Sequence, residues 1–175
     1  MAKAQKSVEF ETTLVKSTTG SNWHFLLVSG ELVAKLGFEG KFRRVVCTMN
    51  GTESFQCALL PWGEIFYIIV NKKKRDNLGL VAGNMVNVVL VKDESKYGLP
   101  MPEEFREVLN QDPEGDRFFH GLTEGKQRSI LYLLSKPKNI DVRIHQALLI
   151  VKHLKENDGE IIGNNLYEEL KRPMF

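Results

Sequence analysis

Asn50-Gly51 stands between two runs of strand character, residues 42–49 and 52–60, and no other feature restricts the fold of this chain as tightly. A two-residue hairpin turn needs positive φ at both central positions, which asparagine and glycine tolerate and most residues do not. The spacing predicts a hairpin that pairs Met49 with Thr52, Cys47 with Ser54, Val46 with Phe55 and Arg44 with Cys57. In that register Cys47 and Cys57 fall on opposite faces and cannot form a disulfide. The more apolar face holds Phe42, Val46, Phe55, Cys57 and Leu59, which assigns Cys57 to the core as a small hydrophobe.

Strand patterning surrounds the hairpin. Val8, Phe10, Thr12 and Leu14 alternate with Glu9, Glu11 and Thr13, turn residues occupy 18–22, and 23–28 is an aromatic and apolar strand. Ser29 to Gly37 reads as a short helix, capped by Ser29, stopped by Gly37, and turning Leu32, Val33 and Leu36 toward the sheet. Residues 65–70 are apolar on both faces and suit a central strand, while 85–91, with Asn87 as its polar member, suits a strand near the end of a barrel. Between them lies a turn carrying Lys72-Lys73-Lys74-Arg75. About six strands with connections too short for parallel crossovers predict a small, mainly antiparallel β-barrel, at least partly closed.

At Asp93 the pattern changes. Residues 94–101 form a polar linker, and Pro102 opens a helix through Leu109. Asp112-Pro113 starts another segment, Thr123 caps a helix with a Gln127, Ile130, Leu131, Leu134 stripe, and Asn139 caps the longest one. In that last helix Ile140, Ile144, Ala147, Leu148, Val151 and Leu154 follow the helical period, and it should pair with its predecessor as a helical hairpin. Gly159 stops it, and the tail from 164 has room for one more helical turn. The fold class is therefore α+β: a barrel domain at 1–93, a linker at 94–101, and a helical module at 102–175. With 42% apolar residues in 175, such a chain builds its core without metal or disulfide help.

Several function classes fall away. The longest apolar run, residues 65–70, is far below the roughly 18 residues of a membrane span. The opening residues carry lysines with no apolar stretch behind them, unlike a secretory leader, and two cysteines suit a reducing interior, so the expected location is cytoplasmic. His24, His120, His145 and His153 lack ligand spacing; the last two are roughly 12 Å apart along one helix, too far to share a zinc. Asp112, Glu114 and Asp116 alternate like a calcium loop, but Arg117 replaces the turn glycine and Thr123 the bidentate glutamate. No nucleophile elbow, phosphate loop or dinucleotide fingerprint occurs. The sequence assigns no catalytic residue, cofactor or metal ligand.

Two basic groups remain as candidate anion or nucleic-acid contacts. One joins Lys41, Arg43 and Arg44 to Lys72, Lys73, Lys74 and Arg75, provided these loops share one end of the barrel; the other gathers Lys126, Arg128, Lys136, Lys138 and Arg143. The formal net charge of +2 favours solvated charged faces instead. Trp23, Trp62 and Phe66 could stack on bases, although aromatics at strand positions more often fill a core.

The order Val28-Ser29-Gly30-Glu31-Leu32, then Asn50-Gly51 with Phe55, Leu59, Pro61 and Gly63, then Asn71-Lys72 and Val81-Ala82-Gly83-Asn84-Met85-Val86, resembles a family of bacterial barrel domains of unknown function. Leu99-Pro100, Phe118, Leu122 and Gly125-Lys126-Gln127-Arg128 leading to Lys136-Pro137-Lys138 resemble the helical module of the YdeI/OmpD-associated, bacteriocin-protection family. The two modules commonly occur fused. The resemblance implies a barrel plus helices and brings no established catalytic residues. That helical family usually has a basic cluster after its lysine-rich turn, whereas here Arg143 stands with His145 and Gln146.

The expectation is a noncatalytic protein that binds a small molecule or a protein partner; the resemblance implies a setting of stress or bacteriocin tolerance. The alternatives are weak nucleic-acid binding through the basic turn, and an enzyme whose site is assembled from distant residues. An exposed strand edge would also allow a homodimer.

Overall fold

The computed structural model describes residues 4–173. The first three residues, part of the segment read as unlike a leader, and the last two of the tail lie outside the described residues. The chain divides into two compact units, one ending at Glu94 and one beginning at Ser95.

The first unit is built on seven strands: β1 (Ser7–Lys16), β2 (His24–Ser29), β3 (Arg44–Met49), β4 (Glu53–Ala58), β5 (Leu60–Trp62), β6 (Ile65–Ile69) and β7 (Met85–Lys92). They form one antiparallel sheet in the order β4-β3-β7-β1-β2-β6-β5. The ladder ends at β4 and β5, so the mainly antiparallel sheet expected is present, but as a curled half-barrel and not a barrel. Places in the sheet also differ from expectation. β7 sits inside the sheet beside the central β1, paired with it from Ser7↔Val91 to Thr13↔Met85, whereas β6 lies one strand from the edge. Apolar residues on both faces of β6 do not make it central, because the short β5 covers its outer side.

Leu14, Leu26, Val45, Cys47, Met49, Ile68, Val86, Val88 and Leu90 fill the concave face. Helix α1 (Gly30–Leu36) adds Val33 and Leu36, with Ser29 accepting the Leu32 N–H and Gly37 closing the helix in the left-handed region. The basic segment is not a turn but a second helix, α2 (Lys72–Leu78). Asn71 accepts the Lys74 N–H and Gly79 ends the helix at φ 62°, start and stop signals that the run of lysines obscured.

The hairpin forms, with Asn50 at φ 48° and Gly51 at φ 70°, but one residue out of the predicted register. Thr52 donates to the Met49 carbonyl as in a two-residue turn, yet Met49 pairs with Glu53, leaving Thr52 as an extra, bulged residue. Asn50 is tied to the neighbouring strand: its N–H donates to the Asn87 carbonyl at 2.8 Å, and its Oδ1 accepts the Asn87 N–H at 2.9 Å. One residue of slip exchanges the faces. Cys47 pairs with Phe55 and Val45 with Cys57, so both cysteines lie on the same face as diagonal neighbours, and both are free thiols. Cys47, not Cys57, is the fully buried one. Phe42, assigned to the core, is 81% exposed, and Trp23 and Trp62 also face solvent.

The second unit is helical: α3 (Glu103–Gln111), α4 (Pro113–Gly121), α5 (Glu124–Ser135), α6 (Ile140–Glu156) and α7 (Gly163–Leu170). Asp112, Thr123 and Asn139 cap α4, α5 and α6 through their side chains. The stripe Gln127, Ile130, Leu131 and Leu134 is buried as its period predicts. Along α6 the buried arc is Ala147, Ile150, Val151 and Leu154, turned away from the predicted one, because α3 and α4 pack on it more extensively than α5 does. Ile140 and Leu148 are left exposed. The presumed linker belongs to this unit: Tyr97, Leu99 and Met101 pack against its core. The tail forms the two-turn α7.

Gly30 begins α1 against the 63–64 turn, where an added Cβ would lie 2.7 Å from the Glu64 carbonyl oxygen. Main chain on both sides leaves no side chain to yield, so Gly30→Ala should destabilise the half-barrel by about 1–3 kcal/mol, measured as a lower urea midpoint.

Candidate functional site

The two edges of the half-barrel approach each other where β4 nears β6, and α2 packs beside β4. This seam collects the first basic group. Arg43, just before β3, reaches across to Phe66 of β6, its guanidinium 5.1 Å from the ring centroid. Lys74 of α2 holds its ammonium 4.7 Å above Phe55 of β4. Each ring face attracts its cation and fixes it at the seam. Arg75 donates to His24 Nε2 at 3.4 Å, and that ring's Nδ1–H donates to the Asn22 carbonyl. Lys41, Lys72 and Lys73 are exposed. Of Lys41, Arg43, Lys72, Lys73, Lys74 and Arg75, Lys72 alone has a carboxylate partner among the described residues, Asp76 of its own helix.

Burial pushes the Cys57 thiol up to about 12, against the pull of Arg44 and Lys74, while Asp93 adds to the rise. Burial raises Cys47 further, with Cys57 contributing and Lys74 opposing. Helix α2 packs beside β4, and Arg44 pairs with Ala58 at the end of the same strand. Burial thus favours the protonated thiol over the nucleophilic thiolate at both positions.

The second basic group does not converge. Arg143 is half-buried and holds the fold: it donates to Glu104 Oε1 at 2.7 Å and to the Pro137 carbonyl. Arg128 faces Glu124 of its own helix at 3.9 Å, and Lys136 lies over the Tyr132 ring. Lys126 and Lys138 are exposed on separate elements.

Three histidines have both ring nitrogens engaged. Besides His24, the fully buried His153 donates from Nδ1 to Glu169 and accepts the Ile162 N–H at Nε2, so its carboxylate pairing is a structural strut. His120 links the Asp116 carbonyl and carboxylate, at Nδ1, to the Tyr97 hydroxyl at 2.7 Å. This chain anchors the 95–101 segment to α4. Sequence reasoning missed it because Tyr97 stood in a stretch read as linker. Asp112 serves as a helix cap and as the partner of Lys155 at 3.0 Å. Among the described residues no group of three or more metal-ligating side chains gathers, and no helix is long and apolar enough to cross a membrane.

Residues 10–90 match the model of a family described as a domain of unknown function, DUF1905, and residues 99–157 match that described as bacteriocin-protection, YdeI or OmpD-associated. The two matches follow one another along the chain in that order. No curated protein matches it. The seam lies within the DUF1905 match and the Asp116, His120, Tyr97 chain largely within the second.

In the helical unit, the Gly115 N–H and then Lys155 hold the Asp112 carboxyl below its usual range, and Arg143 does the same for Glu104. A lowered native pKa gives stability that is complete above the unfolded value and lost as pH falls through the native one. Asp112→Asn keeps a cap acceptor but removes the charge. The helical unit should then lose less stability between pH 7 and about pH 3, below the unfolded aspartate value, as read from urea midpoints at the two pH values.

Proposed function

We propose that this is a noncatalytic binding protein whose half-barrel seam holds an anionic ligand or partner, one bearing phosphate or carboxylate groups. The observation that carries the reading is the pair of cations fixed on aromatic rings at the two lips of the seam, Arg43 on Phe66 and Lys74 on Phe55. Such placement limits the side-chain freedom lost on binding. A second support is local inconsistency in α2. Its first turn carries lysines and no acidic residue, although the helix dipole favours negative charge there. A segment that breaks a local rule marks a place where function outweighs stability. The protonated thiols and doubly engaged histidines favour binding over nucleophilic or general-base chemistry.

The free state of neighbouring cysteines supports a reducing, cytoplasmic setting. Bacteriocin protection, in the description of the second family, supports a role in stress or bacteriocin tolerance.

Titration of the full chain with a fluorescent nucleoside triphosphate and with a fluorescent single-stranded oligonucleotide, each at low and high salt, tests the reading. Triphosphate binding that largely survives salt assigns a small ligand. Oligonucleotide binding that falls steeply with salt assigns a nucleic acid. In either case Arg43→Glu with Lys74→Glu should weaken binding by about tenfold or more. Failure to bind either probe, or equal binding by the variant, sinks the proposal. Lys73→Glu should also weaken binding while stabilising α2 by about 0.3 kcal/mol, seen as a slightly raised urea midpoint.

A further inference from the structure

α6 carries more apolar surface than its own core covers. Beside the buried Ala147, Ile150, Val151 and Leu154 runs a second row, Ile140, Ile144 and Leu148, spaced one helical turn apart. Ile140 is 56% and Leu148 51% exposed, and Ile144 is half-buried. Ile144 and Leu148 face Val108 of α3 across an open groove of ≈ 660 Å³, the lip of which carries Glu103 and Glu107.

The lip keeps its charge. Arg143 and Lys155 neutralise Glu104 and Asp112, the two other carboxylates along the groove. Glu103 is 86% exposed with Arg106 no nearer than 3.8 Å, and the partner of Glu107 is the neutral Gln111 amide. The result is an apolar floor with an anionic rim.

We propose that this groove docks an amphipathic helix of a partner protein, one whose apolar ridge is flanked by lysine or arginine. An apolar ridge at helical spacing releases water from Val108, Ile144 and Leu148, and the flanking cations meet Glu103 and Glu107. A second copy of this chain fits poorly. A two-fold contact sets the same patch against itself and brings the acidic rims together. The inference concerns the helical unit and does not rest on the seam, so each can fail without the other.

The test titrates the full chain with two synthetic helical peptides that share one leucine ridge and differ in their flanks, lysine in one and glutamate in the other. The lysine-flanked peptide should bind about tenfold tighter or more. Leu148→Asp should weaken it by a similar factor, and Glu103→Lys with Glu107→Lys should reverse the preference between peptides. All three side chains are exposed, so the variants should melt near the parent temperature by circular dichroism. Equal affinity for both peptides, no binding, or indifference to Leu148→Asp overturns the proposal. So does a dimer of the peptide-free chain, seen by sedimentation and dissolved by Leu148→Asp, which would give the groove to a second copy.

Discussion

The pairing of β1 with β7 is the interaction on which the first unit depends. It joins the first strand to the last, runs from Ser7↔Val91 to Thr13↔Met85, and sets Val8, Phe10, Val86, Val88 and Leu90 on one face. Every other strand is added outward from this pair, β3 and β4 on one side, β2, β6 and β5 on the other. Because growth proceeds in both directions from the centre, the sheet ends in two edges. Their curl toward each other produces the seam. An open edge invites pairing with another chain, and cations beside it are a common protection. Arg43 and Lys74 stand near these edges, on the rings of Phe66 and Phe55.

The Asn50 to Asn87 exchange extends this logic. By bonding to β7, Asn50 holds the hairpin in the register that buries Val45, Cys47 and Met49. The bulge at Thr52 follows from that tie. In the same register Phe55 and Cys57 come to the seam, so one turn residue decides which side chains the basic helix α2 meets.

Local signals were legible wherever a short stretch sufficed. Ser29 and Gly37 bounded α1, Thr123 and Asn139 placed α5 and α6, and the Gln127 to Leu134 stripe was buried as its period required. The rest depended on partners distant in sequence. Asn50-Gly51 announces a turn but not the Asn87 tie that shifts its register. The apolar arc of α6 is wide enough for two rotations about its axis, and the packing of α3 and α4, not periodicity, selects one. The seam itself was half visible: its cations stood out, but the aromatic rings that hold them are revealed by the curl of the sheet. Tyr97 and its bond to His120 carried no motif at all.

Both proposed surfaces pair apolar groups with charge of one sign, positive at the seam and negative along the groove of α3 and α6. Such separation is compatible with a formal net charge of +2.

Amide NMR spectra of the isotopically labelled full chain, titrated with tripolyphosphate, show residue by residue whether an anion binds at the seam. Saturable shifts should group at Arg43, Phe55, Phe66 and residues 72–75 and be absent in the Arg43→Glu, Lys74→Glu variant. Shifts grouped instead around Lys126 and Lys138, or shifts at the seam that persist in the variant, would contradict the proposed anion site.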